Sequence, residues 1–272
     1  MNDTWQRVVV FVDIRGFTKL AQDVDLYQKF PEFLYRFFRD LVRSVRAAGF
    51  AEESFGIKPL GDGAMIVLPG SEKPGAALQQ VFRFIHDFDK KKVPQAVKAF
   101  RRTYGVHFKL HLGWGISRGQ VTPLNWQGFR TSSPAFRSTL EKVFPHGFQD
   151  YFGPILNRTA RLCDAARPHG IVVDAERFST LPPSRSRFVK QTLELKGIGP
   201  LAVHVTPEIA AEIAASKGSK AQQLLDLVAE ASGRRSIFRS GAGSRSSKAA
   251  KHPKPPRNSN PRAVTRRTKS HT

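Results

Sequence analysis

The 272-residue chain is long enough for one or two domains with a sizeable core, and its 44 Lys and Arg against 22 Asp and Glu leave a formal charge of +22. A single cysteine, Cys163, excludes a disulfide framework and a Cys-rich zinc site and suits a reducing compartment. The longest apolar run near the start, Val8–Val12, is too short for a membrane span or signal-peptide core, so a soluble, cytoplasmic protein without a membrane span is expected.

Arg7–Phe11 is β-branched and aromatic and predicts a first strand, giving way to a turn at Asp13 and Gly16. From Phe30 to Phe50 the apolar residues recur at three and four (Phe33, Leu34, Phe37, Phe38, Leu41, Val42, Val45), which predicts an amphipathic helix stopping near Gly49. Phe55–Leu60 and Ala64–Leu68, joined by Gly61-Asp62-Gly63, predict a β-hairpin. Residues 75–102 read as one or two helices broken near Pro94, and His107–Ile116 as a strand. Pro154–Ala166 is helical by pattern, Ile171–Val173 reads as a buried strand, and Phe188–Leu195 with Leu201–Thr206 predict a second hairpin. Strands alternating with helices, with two hairpins among them, indicate an α+β domain whose mostly antiparallel sheet is covered by helices. Residues 207–232 suit a helical extension broken at Gly218. From Gly233 to Thr272 the composition of Ser, Arg, Lys, Pro and Gly predicts a disordered basic tail. Residues 216–272 hold 14 basic and 2 acidic side chains against 30 and 20 in residues 1–215, so the tail is expected to contact polyanions.

The clearest chemical signal is carboxylates at turns. Asp13 ends the first strand and Asp62 sits at the hairpin tip, so pairing of that hairpin with the first strand would bring both to one sheet edge. Aspartate is also good turn chemistry by itself. Two aspartates without a nearby His or Cys suit a hard, oxygen-seeking ion, Mg²⁺ or Mn²⁺ bridged to phosphates, rather than zinc.

Five stretches carry a family resemblance. FVDIRGFTKL (Phe11–Leu20) resembles the opening motif of class III nucleotidyl cyclases, the adenylate and guanylate cyclase catalytic domain. IKPLGDGAMIVLPG (Ile57–Gly70) resembles the family's Lys-x-x-Gly-Asp hairpin, and LGWGISRG (Leu112–Gly119) its Gly-Ile-x-x-Gly strand end. DYFGPILNRTARL (Asp150–Leu162) resembles its Asp-x-x-Gly-x-x-x-Asn-x-x-x-Arg stretch, and LELKGIGPLAVHV (Leu193–Val205) its closing hairpin. They stand in the family's order and cover residues 7–206, which implies a ferredoxin-like catalytic domain over 1–206 with an insertion at about 120–149.

The resemblance implies a reaction in which the 3′-hydroxyl of a nucleoside triphosphate attacks its own α-phosphate, giving a 3′,5′-cyclic nucleotide and pyrophosphate. Asp13 and Asp62, with the Ile14 carbonyl, then match the holders of two Mg²⁺ or Mn²⁺ ions. Asn157 matches the residue that orients the ribose. Arg161, four residues on and so on the same helical face, matches the arginine that stabilises charge at the α-phosphate, where a planar fork outperforms a Lys. Lys58 and Asp150 match the pair that reads adenine, which favours ATP, and Lys196 matches a contact to the terminal phosphates. The family builds each site from two chains, so a homodimer is implied.

Two departures follow. Gly119 and Asp150 stand 31 residues apart, about twice the family's usual step, and the extra stretch around Asn125–Gly147 borders the base pocket and the dimer-contacting arm. No sensor domain accompanies the motifs, so regulation is expected from elsewhere. Stand-alone relatives include anti-phage cyclases that make cyclic CMP or cyclic UMP, an alternative substrate class. A third possibility is an inactive cyclase-like scaffold that binds nucleic acid or regulates a partner; retention of all the core positions argues against it. Other signals are bland: the eight histidines lack metal-ligand spacing, with His107 and His111 expected on one strand face, and Cys163 reads as packing rather than nucleophile. Gly113, Gly115 and Gly119 do not form a dinucleotide fingerprint, since no helix follows directly.

Overall fold

The structure, a computed structural model, describes residues 5–17, 22, 28–71, 73–106, 108–124, 150–182 and 187–231. Among the described residues eight strands and five α-helices follow in the order β1 (Trp5–Arg15), α1 (Phe30–Ala47), β2 (Gly56–Leu60), β3 (Gly63–Pro69), α2 (Pro74–Asp87), α3 (Val93–Tyr104), β4 (His111–Leu124), β5 (Asp150–Phe152), α4 (Pro154–Ala165), β6 (Gly170–Asp174), β7 (Val189–Leu195), β8 (Gly199–Val205) and α5 (Pro207–Ala231). Seven strands line up as β2-β3-β1-β4-β6-β8-β7, and β5 pairs the far end of β4. Every pairing is antiparallel except β4 with β6. The architecture is therefore α+β with a mostly antiparallel sheet, as the alternation of elements predicted.

Alternation along β1 divides the core. Val8, Val10, Val12 and Ile14 point to one face, where Phe33, Phe37 and Leu41 of α1, Val81, Phe84 and Ile85 of α2 and Phe100 of α3 bury them. Val9 lies on the other face with Met65, Val67, Val121, Tyr151 and Ile155, beneath α4. A third cluster seats α4 and α5 against β6, β7 and β8 through Leu162, Val172, Leu195, Leu201, Val203, Val205 and Ile209. The phenylalanines at helical spacing in α1 are core: Phe30 and Phe33 meet Phe100 and Phe108 with ring centroids 5.6–6.3 Å apart.

Several boundaries differ from the sequence reading. β1 continues past Phe11 to Arg15, because it is sandwiched between β3 and β4 and its polar end residues still pair. β4 begins at His111 and runs on to Leu124. The helical backbone does not break at Pro94. A π-helical turn, Phe88–Lys92, links α2 to α3, and Pro94 occupies the first turn of α3, where a missing N–H breaks no bond. Gly218 likewise falls within α5. His107, the insertion from residue 125 to 149 and the tail from residue 232 lie outside the described residues. The chain divides into two compact units, Met1–Gln222 and Gln223–Thr272, of which the second contributes the last residues of α5. Among the described residues no helix is long and apolar enough to cross a membrane.

Candidate active site

Asp13 and Asp62 meet at one end of the sheet. In the β2–β3 hairpin, Leu60 pairs with Gly63, leaving a two-residue turn in which Gly61 takes φ +68°, the left-handed value such a turn needs. β3 then pairs with β1 so that Asp13 faces Gly63, and the Ile14 N–H donates to the Asp62 carbonyl at 3.3 Å. That bond ties the two carboxylate-bearing turns together. Burial pushes both carboxyls above the ordinary aspartate pKa, and Asp62 pushes Asp13 further.

Arg15, two residues along the same strand face, is a site residue that the sequence reading passed over although it stands within the opening motif. Its side chain is only 7% exposed, and its Nη1 donates to Asp13 Oδ2 at 2.7 Å. Nη2 donates to the Cys163 carbonyl on α4. A Cβ on Gly113 would occupy the space of this guanidinium, and one on Gly115 would enter the backbone of Thr159 and Cys163. The glycines of β4 are thus there to admit Arg15 and to seat α4 against the sheet. Cys163 is a packed thiol: its Sγ donates to the Gly113 carbonyl at 3.3 Å, and burial pushes its pKa up to about 12. His111 stacks on His169, with centroids 4.6 Å apart.

The donor chemistry at this end fits a hard divalent cation. Two carboxylates carry more negative charge than the single Arg15 offsets, and the described residues contain no group of three or more His, Cys, Asp or Glu that could form a protein-only cage. Such a pair leaves ligand positions for phosphate oxygens.

A second group of residues centres on the contact between β2 and β5. Lys58 Nζ and Asp150 Oδ2 form an ion pair at 2.7 Å, joining β2 to β5. Burial raises the Asp150 carboxyl, but the bonds from Lys58 and the Tyr151 N–H outweigh it and hold its pKa below the ordinary value. Lys58 pairs with Met65, Met65 with Phe11 and Phe11 with Gly115, so Lys58 stands two residues, about 7 Å of strand, from the level of Asp13 and Gly113, and the far end of β4 carries Asp150 back to it. Asn157 and Arg161 lie one turn apart on α4, which begins beside β5 and runs back over Gly119 and Gly115. Both are exposed, and Arg161 Nη1 reaches Asp164 Oδ2 at 3.1 Å. Lys196 is exposed in the turn between β7 and β8, with β4, β6 and β8 between β7 and β1. Among the candidates, then, Asp13, Ile14 and Asp62 are brought together, as are Lys58 and Asp150, and Asn157 and Arg161 share a helix.

A buried network anchors α4 from behind. Arg158 donates to both oxygens of Asp174, Nε to Oδ2 at 2.6 Å and Nη2 to Oδ1 at 3.0 Å, and also pairs with Glu176. Ser117 Oγ donates to Asp174 Oδ2 at 2.6 Å from the centre of β4. No local spacing in the sequence signals this network, since its members come from a strand, a helix and a second strand.

No protein-family model matches the chain, and a search of curated proteins finds no match. Solved structures do resemble it. The guanylyl cyclase Cya2 aligns at 15% identity over 75% of this chain and 92% of its own, with a TM-score of 0.56. The adenylyl cyclase CyaB from P. aeruginosa aligns at 20% identity over 75% and 96%, with a TM-score of 0.50. The guanylate cyclase domain of RhGC from Catenaria anguillulae, in complex with GTP, aligns at 17% identity over 74% and 96%, also at 0.50. The fold is that of class III adenylyl and guanylyl cyclase catalytic domains.

Proposed function

We propose that the chain is a nucleotidyl cyclase that converts ATP to 3′,5′-cyclic AMP and pyrophosphate as a homodimer. The observation that carries this reading is the meeting of Asp13 and Asp62 at one end of a cyclase-type sheet, together with the Lys58–Asp150 ion pair and the helix turn bearing Asn157 and Arg161 on the same chain. In such a homodimer the carboxylates of each copy serve the base- and ribose-reading residues of the other.

In this reading Asp13 and Asp62, with the Ile14 carbonyl, hold two Mg²⁺ or Mn²⁺ ions. When bound, such ions make the 3′-hydroxyl a better nucleophile and neutralise the triphosphate. Arg15 restrains the Asp13 carboxylate and keeps it aimed at the sheet end. Asn157 orients the ribose by hydrogen bonding. Arg161, exchanging its solvent-exposed contact with Asp164 for phosphate oxygens, stabilises charge at the α-phosphate. Lys196 contacts the terminal phosphates. Lys58 donates to a ring nitrogen of the base while Asp150 accepts from its exocyclic amine. Adenine satisfies both; guanine presents a carbonyl in place of the amine.

A buried donor or acceptor left unpaired costs about 1–3 kcal/mol, so two mismatches give roughly tenfold to several-thousandfold preference for ATP over GTP. Incubating the purified protein with each ribonucleoside triphosphate and Mn²⁺, with products identified by mass, tests this. Cyclic AMP is the expected dominant product. Dominance of cyclic CMP or cyclic UMP moves the protein to a pyrimidine-specific reading governed by the 125–149 stretch; dominance of cyclic GMP defeats the Lys58–Asp150 assignment. No cyclic product from any substrate overturns the reading as a whole.

A further inference from the structure

The outer surfaces of α2, the π-helical turn and α3 differ in charge balance from the rest of the helical layer. Arg83, Lys90, Lys91, Lys98, Arg101 and Arg102 are all exposed along them. On neighbouring α1 each cation has a carboxylate: Arg36 pairs with Glu32 at 2.6 Å, Arg39 and Arg43 with Asp40 at 3.2 and 3.6 Å, and Arg46 with Glu52. Among the described residues, Arg83, Lys98, Arg101 and Arg102 have none. The two acids between Arg83 and Arg102 are otherwise engaged. Asp87 accepts from Ser44 Oγ at 3.2 Å and pairs with Lys91 at 2.9 Å, and Asp89 accepts from Trp114 Nε1 at 3.2 Å.

We infer that this face docks the phosphate backbone of double-stranded nucleic acid, without reading base sequence. The helical backbone runs from Pro74 to Tyr104 through the π-helical turn, so its cations from Arg83 to Arg102 span about 30 Å at the usual rise, comparable with one turn of duplex. A row of uncompensated cations matches a duplex that carries one charge per roughly 1.7 Å of axis. Single strands are bound largely by base stacking on exposed aromatic rings. Here Phe82, Phe84, Phe88 and Phe100 are all buried, and Tyr104 packs against Phe100. The same absence disfavours a lipid surface: among the described residues the exposed large apolar ones are Leu60, Phe152, Val189 and Ile198, and none lies on these helices. α2 and α3 cover the sheet face opposite α4, so a duplex seated there leaves the candidate active site open.

The test is independent of cyclase activity. Binding of the full chain to a labelled duplex of about 20 base pairs, two helical turns, is followed by fluorescence anisotropy across a salt series. The triple reversal K98E/R101E/R102E is compared with R177E/R187E/K190E, which makes the same change in net charge at exposed positions elsewhere. The inference expects the first set to weaken binding at least about tenfold and to flatten the log–log salt slope by about 3, with the control set leaving the slope near wild type. The neutral variant K98Q/R101Q/R102Q is expected to flatten the slope equally, with an unchanged circular dichroism melt, which separates lost contacts from misfolding. Equal losses in both reversal sets, no duplex binding by the wild-type chain, or tighter binding to single strands or phosphatidylserine vesicles would each overturn the proposal.

Discussion

At Asp89 a carboxyl outside the candidate active site is set to titrate near neutrality. Burial against Trp114 pushes its pKa up to about 7, with the Trp114 N–H and Lys90 pulling the other way. The sign follows from linkage. Between about pH 4 and 7 the folded chain holds a proton that the unfolded chain has released, so this group's contribution is full below the unfolded value and is lost as pH rises through about 7. Asp89→Asn keeps an acceptor for Trp114 but cannot ionise. Thermal melts should show the variant at least as stable as wild type at about pH 8, with a flatter pH dependence below 7. A variant whose pH profile superimposes on wild type would show that this carboxyl does not titrate there. At the same scale, the sequence motif already contained Arg15, but its role rests on contacts with Asp13 and with Cys163, 148 positions away.

The packing of α4 on β4 carries the second set of expectations. Gly115 cannot accept a side chain without displacing the backbone of Thr159 and Cys163. Gly115→Ala should therefore cost about 1–3 kcal/mol in urea unfolding, the range for overpacking a filled core. Arg158→Ala leaves the fully buried Asp174 carboxylate without its cation, although Ser117 and the Glu176 N–H still donate to it. A loss near 3 kcal/mol is expected, the lower end of what breaking a buried pair costs. If Arg158→Ala unfolds at the same urea concentration as wild type, the network is not what fastens α4. The existence of both elements was legible from periodicity and β-branched runs. Their close approach was not, because a glycine on a strand reads equally well as a bulge, a turn or a packing site.

For the whole molecule, the proposed homodimer implies a split site, in which the carboxylates of one chain serve the base, ribose and phosphate residues of the other. Asp13→Ala and Arg161→Ala chains should each be inactive alone, whereas a mixture should recover activity, because one site of the heterodimer contains neither substitution. Random pairing of equal amounts gives at most about a quarter of wild-type activity per chain, since half the dimers are mixed and each has one intact site. No recovery on mixing, or full activity of a strictly monomeric preparation, would defeat the split-site reading.

The sequence by itself determined most of the elements, the α+β class and the meeting of Asp13 with Asp62, because each rests on short-range signals: alternation, helical spacing and a Gly-Asp-Gly turn between two strands that pair. Tertiary structure alone decided that β1 reaches Arg15, that Pro94 does not break the helical run, that Arg15 joins the carboxylate end and that Arg158 anchors α4 to Asp174. It also decided which helical cations have carboxylate partners. The physical reason is common to all of them. Each depends on a partner brought from elsewhere in the chain, and burial and charge compensation arise only when those segments pack together.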